Sequence, residues 1–365
     1  MTGPAAPLIS VVLPVGNVAE YLSACLDSVL GPDLPTGQAG PEVIAVDDAS
    51  RDGSGNILDR RAGQDPRLRV IHLAENAGPG PARMRGLAEA AGTYVWFVDP
   101  DDLLADGALA AVTARLDRGQ ADVLLIDYLI LGSSGQIRPS PGAALLAAPR
   151  GAAAAPVTLT LAERPALIDR TMTVWSKVFR REFLLGLGVC FPPGIHEDVP
   201  VSCAALVGAE RIALLDRVCY LYRRRRRSFL ATTSMDHFSI FSSYEQVLAR
   251  PDAGAGPAGG AGVRAALFGR AIEHYSTVLA NGLVPRGARR AFFHRMAADY
   301  RRYRPAGYRR PPGLRGLKFA LIERDAYRAY LVLGPLNHAR VAVARAGGRG
   351  RTGGPRRLPS SAAAQ

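Results

Sequence analysis

Thr93-Tyr-Val-Trp-Phe-Val-Asp-Pro-Asp-Asp102 reads as a buried strand that runs straight into three carboxylates. Tyr94 to Val98 is apolar and rich in aromatic and β-branched residues, the composition of a strand covered on both faces. Asp99, Asp101 and Asp102 stand at its carboxyl end, where open α/β sheets bind their ligands. Three acids this close repel one another unless a positive group neutralises them. A hard divalent cation does so with one or two carboxylates and the phosphate oxygens of a substrate. A polar turn that leads into the next helix is the other reading.

Upstream, Leu8 to Pro14 reads as a strand and Val18 to Leu30 as a helix. Glu42 to Asp48 is a second strand that ends in two acids, followed by a helix to Ala62 and a third strand, Leu68 to Leu73. A Gly/Pro loop, Asn76 to Pro81, opens a helix to Ala91. Downstream come a helix at Ala108 to Leu116 and a strand at Asp122 to Ile130. Strict alternation predicts an α/β fold with a mostly parallel sheet covered by helices.

Ser133 to Pro156 is low in complexity and reads as a mobile loop, Leu161 to Thr171 as helical, and Val174 to Phe191 as a mixture of aromatic and basic residues. A helix follows Asp198, and Val218 to Tyr222 is a strand. The expected organisation is a catalytic domain over 1–230, a helix and Gly/Ala/Pro linker over 231–262, a basic helical extension over 263–346 and a disordered tail over 347–365.

The 365 residues are 48% hydrophobic with a mean hydropathy of +0.05, enough to bury a sizeable core. No run of about 18 apolar residues is present, so no membrane-spanning helix is expected. Met1 to Leu8 lacks the basic start of a signal peptide. Cys25, Cys190, Cys203 and Cys219 have no C-x-x-C spacing, so neither zinc nor a disulfide framework is indicated, and a reducing cytoplasm fits. The net charge of +13 is unevenly spread. From Arg264 onward 21 Arg/Lys face four Asp/Glu, whereas the part before it holds 24 against 28. Such a basic tail suits an anionic membrane, nucleic acid or water alone.

Four further constellations have chemical readings. Asp47-Asp48 ends the second strand at the same sheet edge as Asp99, where a carboxylate accepts hydrogen bonds from ribose or a base; a turn is the alternative. Pro14-Val-Gly-Asn17 stands where a dinucleotide fold would have G-x-G-x-x-G, and no phosphate-binding G-x-x-x-x-G-K-[ST] is present. Asp198, after His196-Glu197, reads either as a helix N-terminal acid or as a general base. Arg223 to Arg227 is a solvated run or a pyrophosphate clamp. Trp175 and Lys177 form a core edge or a sugar-binding wall.

Together, Pro14-Val15…Asn17, Val46-Asp-Asp-Ala-Ser50…Asp52-Gly53, Asn76…Gly78…Ala82-Arg83…Gly86, Phe97-Val-Asp-Pro-Asp-Asp102, Trp175-Ser-Lys177, Glu197-Asp198 and Tyr220…Tyr222-Arg223…Arg225…Ser228 resemble the family 2 glycosyltransferases. The resemblance covers roughly residues 8 to 230. It implies a GT-A fold, a nucleotide-sugar donor (commonly a UDP-sugar), a divalent metal (Mn²⁺ or Mg²⁺) and inversion at the anomeric carbon. It further implies donor binding by Pro14, Val15, Asp47, Asp48, Arg83, Asp99, Arg223 and Arg225. Metal binding falls to Asp101 and Asp102, the base to Asp198, and the acceptor side to Trp175, Lys177 and Glu197. Gly16 and Met84 depart from the family pattern, which usually has a large residue and Asn there.

The expected acceptor is a cell-envelope polysaccharide, teichoic-acid-like polymer or lipid-linked glycan, with the tail against the inner membrane face. A nucleotidyltransferase would want a basic Gly-rich loop after the first strand. A nucleic-acid-binding protein would leave the acids at three strand ends unexplained, so no nucleic-acid partner is expected.

Overall fold

β1 (Ile9–Val15) is buried along its whole length because strands flank both its edges and helices cover both its faces. The computed structural model describes residues 7–31, 40–133, 135–147, 158–170, 172–224, 232–250 and 260–333. β2 (Glu42–Asp47) pairs parallel with β1, and β3 (Leu68–His72) extends the sheet beyond β2. β4 (Tyr94–Phe97) pairs parallel with the other edge of β1.

The two-residue period of a strand sorts the side chains into two layers. Ile9, Val11, Leu13 and Val15 share one core with α1 (Ala19–Leu30), Leu58 of α2 (Ser54–Ala62), and α4 (Ala108–Asp117). Val12 faces the opposite core with α3 (Pro79–Glu89). Helix α3 lies so close to the sheet that a Cβ on Gly86 would come within 2.4 Å of Val12 Cγ1. Only glycine fits there.

The remaining strands are β5 (Leu103–Leu104), β6 (Val123–Leu131), β7 (Ile137–Pro139), β8 (Thr158–Leu159), β9 (Lys177–Arg180) and β10 (Ile212–Arg223). The sheet order is β3-β2-β1-β4-β9-β6-β10-β5, with β7 on β6 and β8 on β10. The expectation of a mostly parallel sheet is corrected: among the described residues four pairings are parallel and five antiparallel. The sheet is mixed because β9 enters the middle antiparallel to both β4 and β6. Four residues with Lys177 and Arg180 at their ends lack the apolar run that marks a buried strand.

Part of the stretch read as a mobile loop is ordered: β7 and a 3-10 turn at Ala143–Leu146, whose Leu146 is buried. The helical reading of 161–171 shrinks to a 3-10 turn at Pro165–Asp169. After α5 (Arg181–Gly186), α6 (Asp198–Gly208) and α7 (Ser239–Leu248) come α8 (Ala261–Ala280), α9 (Arg289–Tyr303) and α10 (Gly313–Glu323). α10 ends at Glu323, with Asp325 at a φ of 54°. Residues 251–259 and 334–365, including most of the expected linker and the tail, lie outside the described residues. α6 to α10 share one buried cluster with Val12, Phe97 and Phe179, on the α3 side of the sheet.

Candidate active site

At the carboxyl end of β4 the chain turns through Asp99, Asp101 and Asp102. The turn is held from the neighbouring β10 by Tyr220. Its hydroxyl accepts the N–H of Asp99 at 3.1 Å and donates to Oδ2 of Asp102 at 2.8 Å. The other oxygen of Asp102 accepts the N–H of Arg223 at 2.7 Å. Asp102 is fully buried, and burial together with repulsion from Asp101 and Asp99 pushes its carboxyl well above the usual range. Asp99 and Asp101 are half-buried. One carboxylate oxygen from each of the three lies within 4.8 Å of the others. That hard-oxygen donor set, with its excess of negative charge, fits a divalent cation. Asp99 and Asp101 face outward, and Asp102 braces the turn from below.

Arg83, on α3, is 3% exposed and surrounded by carboxylates. Nη2 donates to Oδ1 of Asp99 and Nη1 to Oε1 of Glu197, both at 2.7 Å. Nη1 also lies 2.9 Å from Oδ1 of Asp198, an ion pair without hydrogen-bond alignment. Burial alone would lower the pKa of this guanidinium, but Asp198, Asp99 and Glu197 raise it, so it stays charged. Phe191 closes its outer side, with the guanidinium carbon 5.5 Å from the ring centroid. One side chain therefore joins the end of β4 to the start of α6.

Asp198 opens α6. Its Oδ2 accepts the N–H of Val174 at 3.1 Å, while Oδ1 is buried with no hydrogen-bond donor among the described residues. Burial pushes its carboxyl up to about 7, against the pull of Arg83 and with repulsion from Glu197 and Asp99. A carboxylate poised near neutral is suited to accept a proton.

The turn that supplies the Val174 N–H is built by Lys177. Its Nζ, fully buried, donates to the carbonyl of Thr173 at 2.7 Å. Burial, then the charge of Arg170, lowers its pKa to about 7, with Asp198 opposing. Trp175 is also inside, stacked on Tyr220 at 4.5 Å and on Tyr222 at 5.3 Å, with Tyr128 against its edge. Its carbonyl accepts the indole N–H of Trp96 at 2.8 Å. Trp175 and Lys177 thus lie behind Asp198 rather than present side chains to solvent.

The two acids after β2 point different ways. Asp48 accepts the N–H groups of Ala77 and Gly78 at 2.7 and 2.8 Å, so it ties down the loop that opens α3. Asp47 accepts the N–H of Ser50 at 3.1 Å and meets Nδ1 of His72 at 2.8 Å; the other ring nitrogen of His72 reaches Asp59. Pro14 and Val15 are buried at the end of β1, where the Val15 carbonyl accepts the N–H of Asp48. Arg223 lies over the Tyr21 ring at 5.0 Å. Arg225 is outside the described residues.

Tyr220 was named in the family resemblance but given no role, and the Val174 N–H was not singled out from sequence. The alternation Tyr220-Leu-Tyr222 beside the arginines was the available sign for the first; a backbone donor leaves none. A third group also escaped notice. His196 Nε2 lies 3.2 Å from His237 Nδ1, and the His274 ring packs edge-on against His196 at 5.3 Å.

Residues 10–143 match the family described as Glycosyl transferase family 2. The chain is 32% identical over 225 residues to the uncharacterized glycosyltransferase EpsJ of Bacillus subtilis, covering 61% of this chain and 62% of that one. It is 30% identical over 222 residues to the poly(ribitol-phosphate) beta-N-acetylglucosaminyltransferase TarS of Staphylococcus aureus, covering 60% of this chain and 35% of TarS. The match thus spans less than two thirds of either relative. A crystal structure of S. aureus TarS 1-349 in complex with UDP-GlcNAc has the same fold, with a TM-score of 0.69 at 21% identity over 91% of both chains.

Proposed function

We propose that this chain, whose residues 10–143 match glycosyl transferase family 2, moves a sugar from a UDP-sugar to a hydroxyl of a cell-envelope polymer or lipid-linked glycan. The supporting observation is Arg83, whose guanidinium contacts both Asp99 of the carboxylate turn and the Glu197-Asp198 pair. A donor site and a base are thereby one guanidinium apart, the separation that a direct displacement needs.

In this reading Asp198 takes the acceptor proton as the acceptor oxygen bonds to the anomeric carbon. The bond from that carbon to the diphosphate breaks on the opposite face, which inverts the configuration. A Mn²⁺ or Mg²⁺ ion held by Asp101 and Asp102, with Asp99 in the same cluster, would supply Lewis-acid neutralisation of the departing diphosphate. Arg83 stays charged throughout and holds Asp99, Glu197 and Asp198 in register. Pro14, Val15 and Asp47 frame the nucleotide end. Asp48 fixes the 77–78 loop beside it, and the diphosphate would be the partner of Arg223 and Arg225. Glu197, Trp175 and Lys177 shape the acceptor side from behind. The basic C-terminal part lies against the inner membrane face, from which a lipid-linked acceptor is reached.

The test is thermal unfolding with UDP, CDP and GDP, with and without Mn²⁺, on wild type and Asp101→Ala. Ligand that binds only the native state must stabilise it. The reading expects metal-dependent stabilisation by UDP that Asp101→Ala abolishes. No stabilisation by any nucleotide would refute it.

A further inference from the structure

The donor chemistry makes no use of the outward side of the C-terminal helices, and the role inferred for it rests on the reading that sets the basic C-terminal part against a membrane. The inward face of α10 is Gly316, Phe319, Ala320 and Ile322, all buried. At helical spacing the opposite edge carries Leu314 and Leu317, whereas Leu321 packs against the core. Leu317 is 46% exposed, and Leu314 is half-buried. The helical residues 327–333 repeat the arrangement. Tyr327 and Tyr330 pack on Phe293, while Leu331 and Val332 are 47% and 71% exposed.

Charge identifies what this edge meets. From Arg264 to Leu333 there are 15 Lys/Arg and four Asp/Glu, and the 32 residues that follow add six arginines and no acid. A GC-rich gene explains arginine in place of lysine, but it does not remove Asp and Glu, which are plentiful before Arg264. The four acids are all engaged: Glu273 with Arg315, Asp299 with Arg295, Glu323 with Arg304 and Arg310, and Asp325 with His294. Exposed Arg324 and Arg328 have no ion-pair partner among the described residues.

We propose that Leu314, Leu317, Arg324, Arg328, Leu331 and Val332 dock on an anionic lipid surface, the leucines and Val332 entering the headgroup boundary and the two arginines meeting lipid phosphates. Apolar side chains beside unpaired cations are the pattern of a helix that lies in the membrane plane. A second copy of the chain would bring like charges together. Nucleic acid would gain nothing from the exposed leucines. The surface is independent of the donor chemistry, although it would hold the enzyme where lipid-linked acceptors lie.

The experiment is flotation of the full chain with phosphatidylcholine vesicles and with vesicles half phosphatidylglycerol. Binding is expected to the anionic vesicles alone and to fall with added salt. Leu317→Ser/Leu331→Ser/Val332→Ser, which preserves the charge, is expected to weaken it about tenfold, with circular dichroism and UDP-dependent thermal stabilisation unchanged. Equal binding to both vesicles, or anionic binding unaffected by the triple substitution, would overturn the proposal. So would a concentration-dependent dimer lost in the triple variant, which would give the face to a second copy. Duplex DNA that competes the protein off vesicles, and that the triple variant binds equally well, would also overturn it.

Discussion

Tyr220 donates its hydroxyl proton to Asp102 across 2.8 Å, inside the protein and directly beneath the turn that offers Asp99 and Asp101 to ligand. Replacing Tyr220 by Phe keeps the stack on Trp175 and removes only the oxygen. A buried carboxylate then loses one donor, and the Asp99 N–H loses its acceptor. We expect a stability loss of about 1–3 kcal/mol in urea unfolding, the usual cost of a buried polar group left unsatisfied. The Mn²⁺ concentration that half-activates the enzyme should also rise, because the carboxylate turn is no longer pinned.

Arg83 compensates three acids at once. Arg83→Met leaves them buried and mutually repelling, and breaking such a group costs about 3–5 kcal/mol. Arg83→Lys should recover stability only in part, because a single ammonium cannot reach Asp99 and Glu197 along separate branches. Denaturant midpoints of the two variants, beside their transfer rates, check this. Equal stability of Arg83→Lys and wild type would contradict the bridging role.

Asp198 must be ionised to accept a proton, so kcat should rise with pH through about 7, where burial has placed its pKa. Asp198→Asn should lower kcat by roughly 10²–10⁴, with UDP binding retained. Lys177→Met removes a positive charge that favours the ionised form and loosens the turn carrying the Val174 N–H. The acid limb should then move to higher pH, and kcat should fall more than KM changes. A purely structural lysine would leave the limb in place.

His196, His237 and His274 are buried together, and burial lowers the pKa of each, that of His196 to about 3. The folded state resists their protonation while the unfolded chain takes protons near 6.5. Their contribution is complete above about 6.5 and is lost as pH falls toward the folded values. Asp198 acts in the opposite sense. Its raised pKa favours the folded state below the unfolded value, and that contribution is lost as pH rises through about 7. Urea midpoints should therefore drop more steeply between about pH 6.5 and 5 in Asp198→Asn than in wild type. A His237→Gln variant should flatten the drop.

Much of this arrangement was readable before any coordinates. Strand–helix alternation locates β1 to β4 because doubly covered parallel strands need continuous apolar runs. Asp99, Asp101 and Asp102 announce themselves because acids at the ends of such runs need partners, whereas Asp198, at a helix start, stood out only through the family resemblance. What joins them does not. Arg83 and Glu197 are 114 residues apart, and no local pattern encodes their contact. Lys177 read with Trp175 as a core edge or a sugar-binding wall, and the chain folds over it so that its amine supports a carbonyl. Asp47 and Asp48 looked like one unit, but the pleat of the strand sends them to different neighbours.

The placement of β9 between β4 and β6 bears on how the polypeptide becomes organised. Residues 10–143 contain β4 and β6 but not the strand that separates them. Expressed alone, that segment would leave β4 without β9 and β6 without both β9 and β10, and open edges invite association with other chains. The sheet can close only after Lys177–Arg180 has been synthesised and threaded between strands made long before it. Assembly is then a late, long-range event, which favours slow folding. The carboxylate turn and the E-D pair should accordingly gain protection from hydrogen exchange together, in one cooperative step.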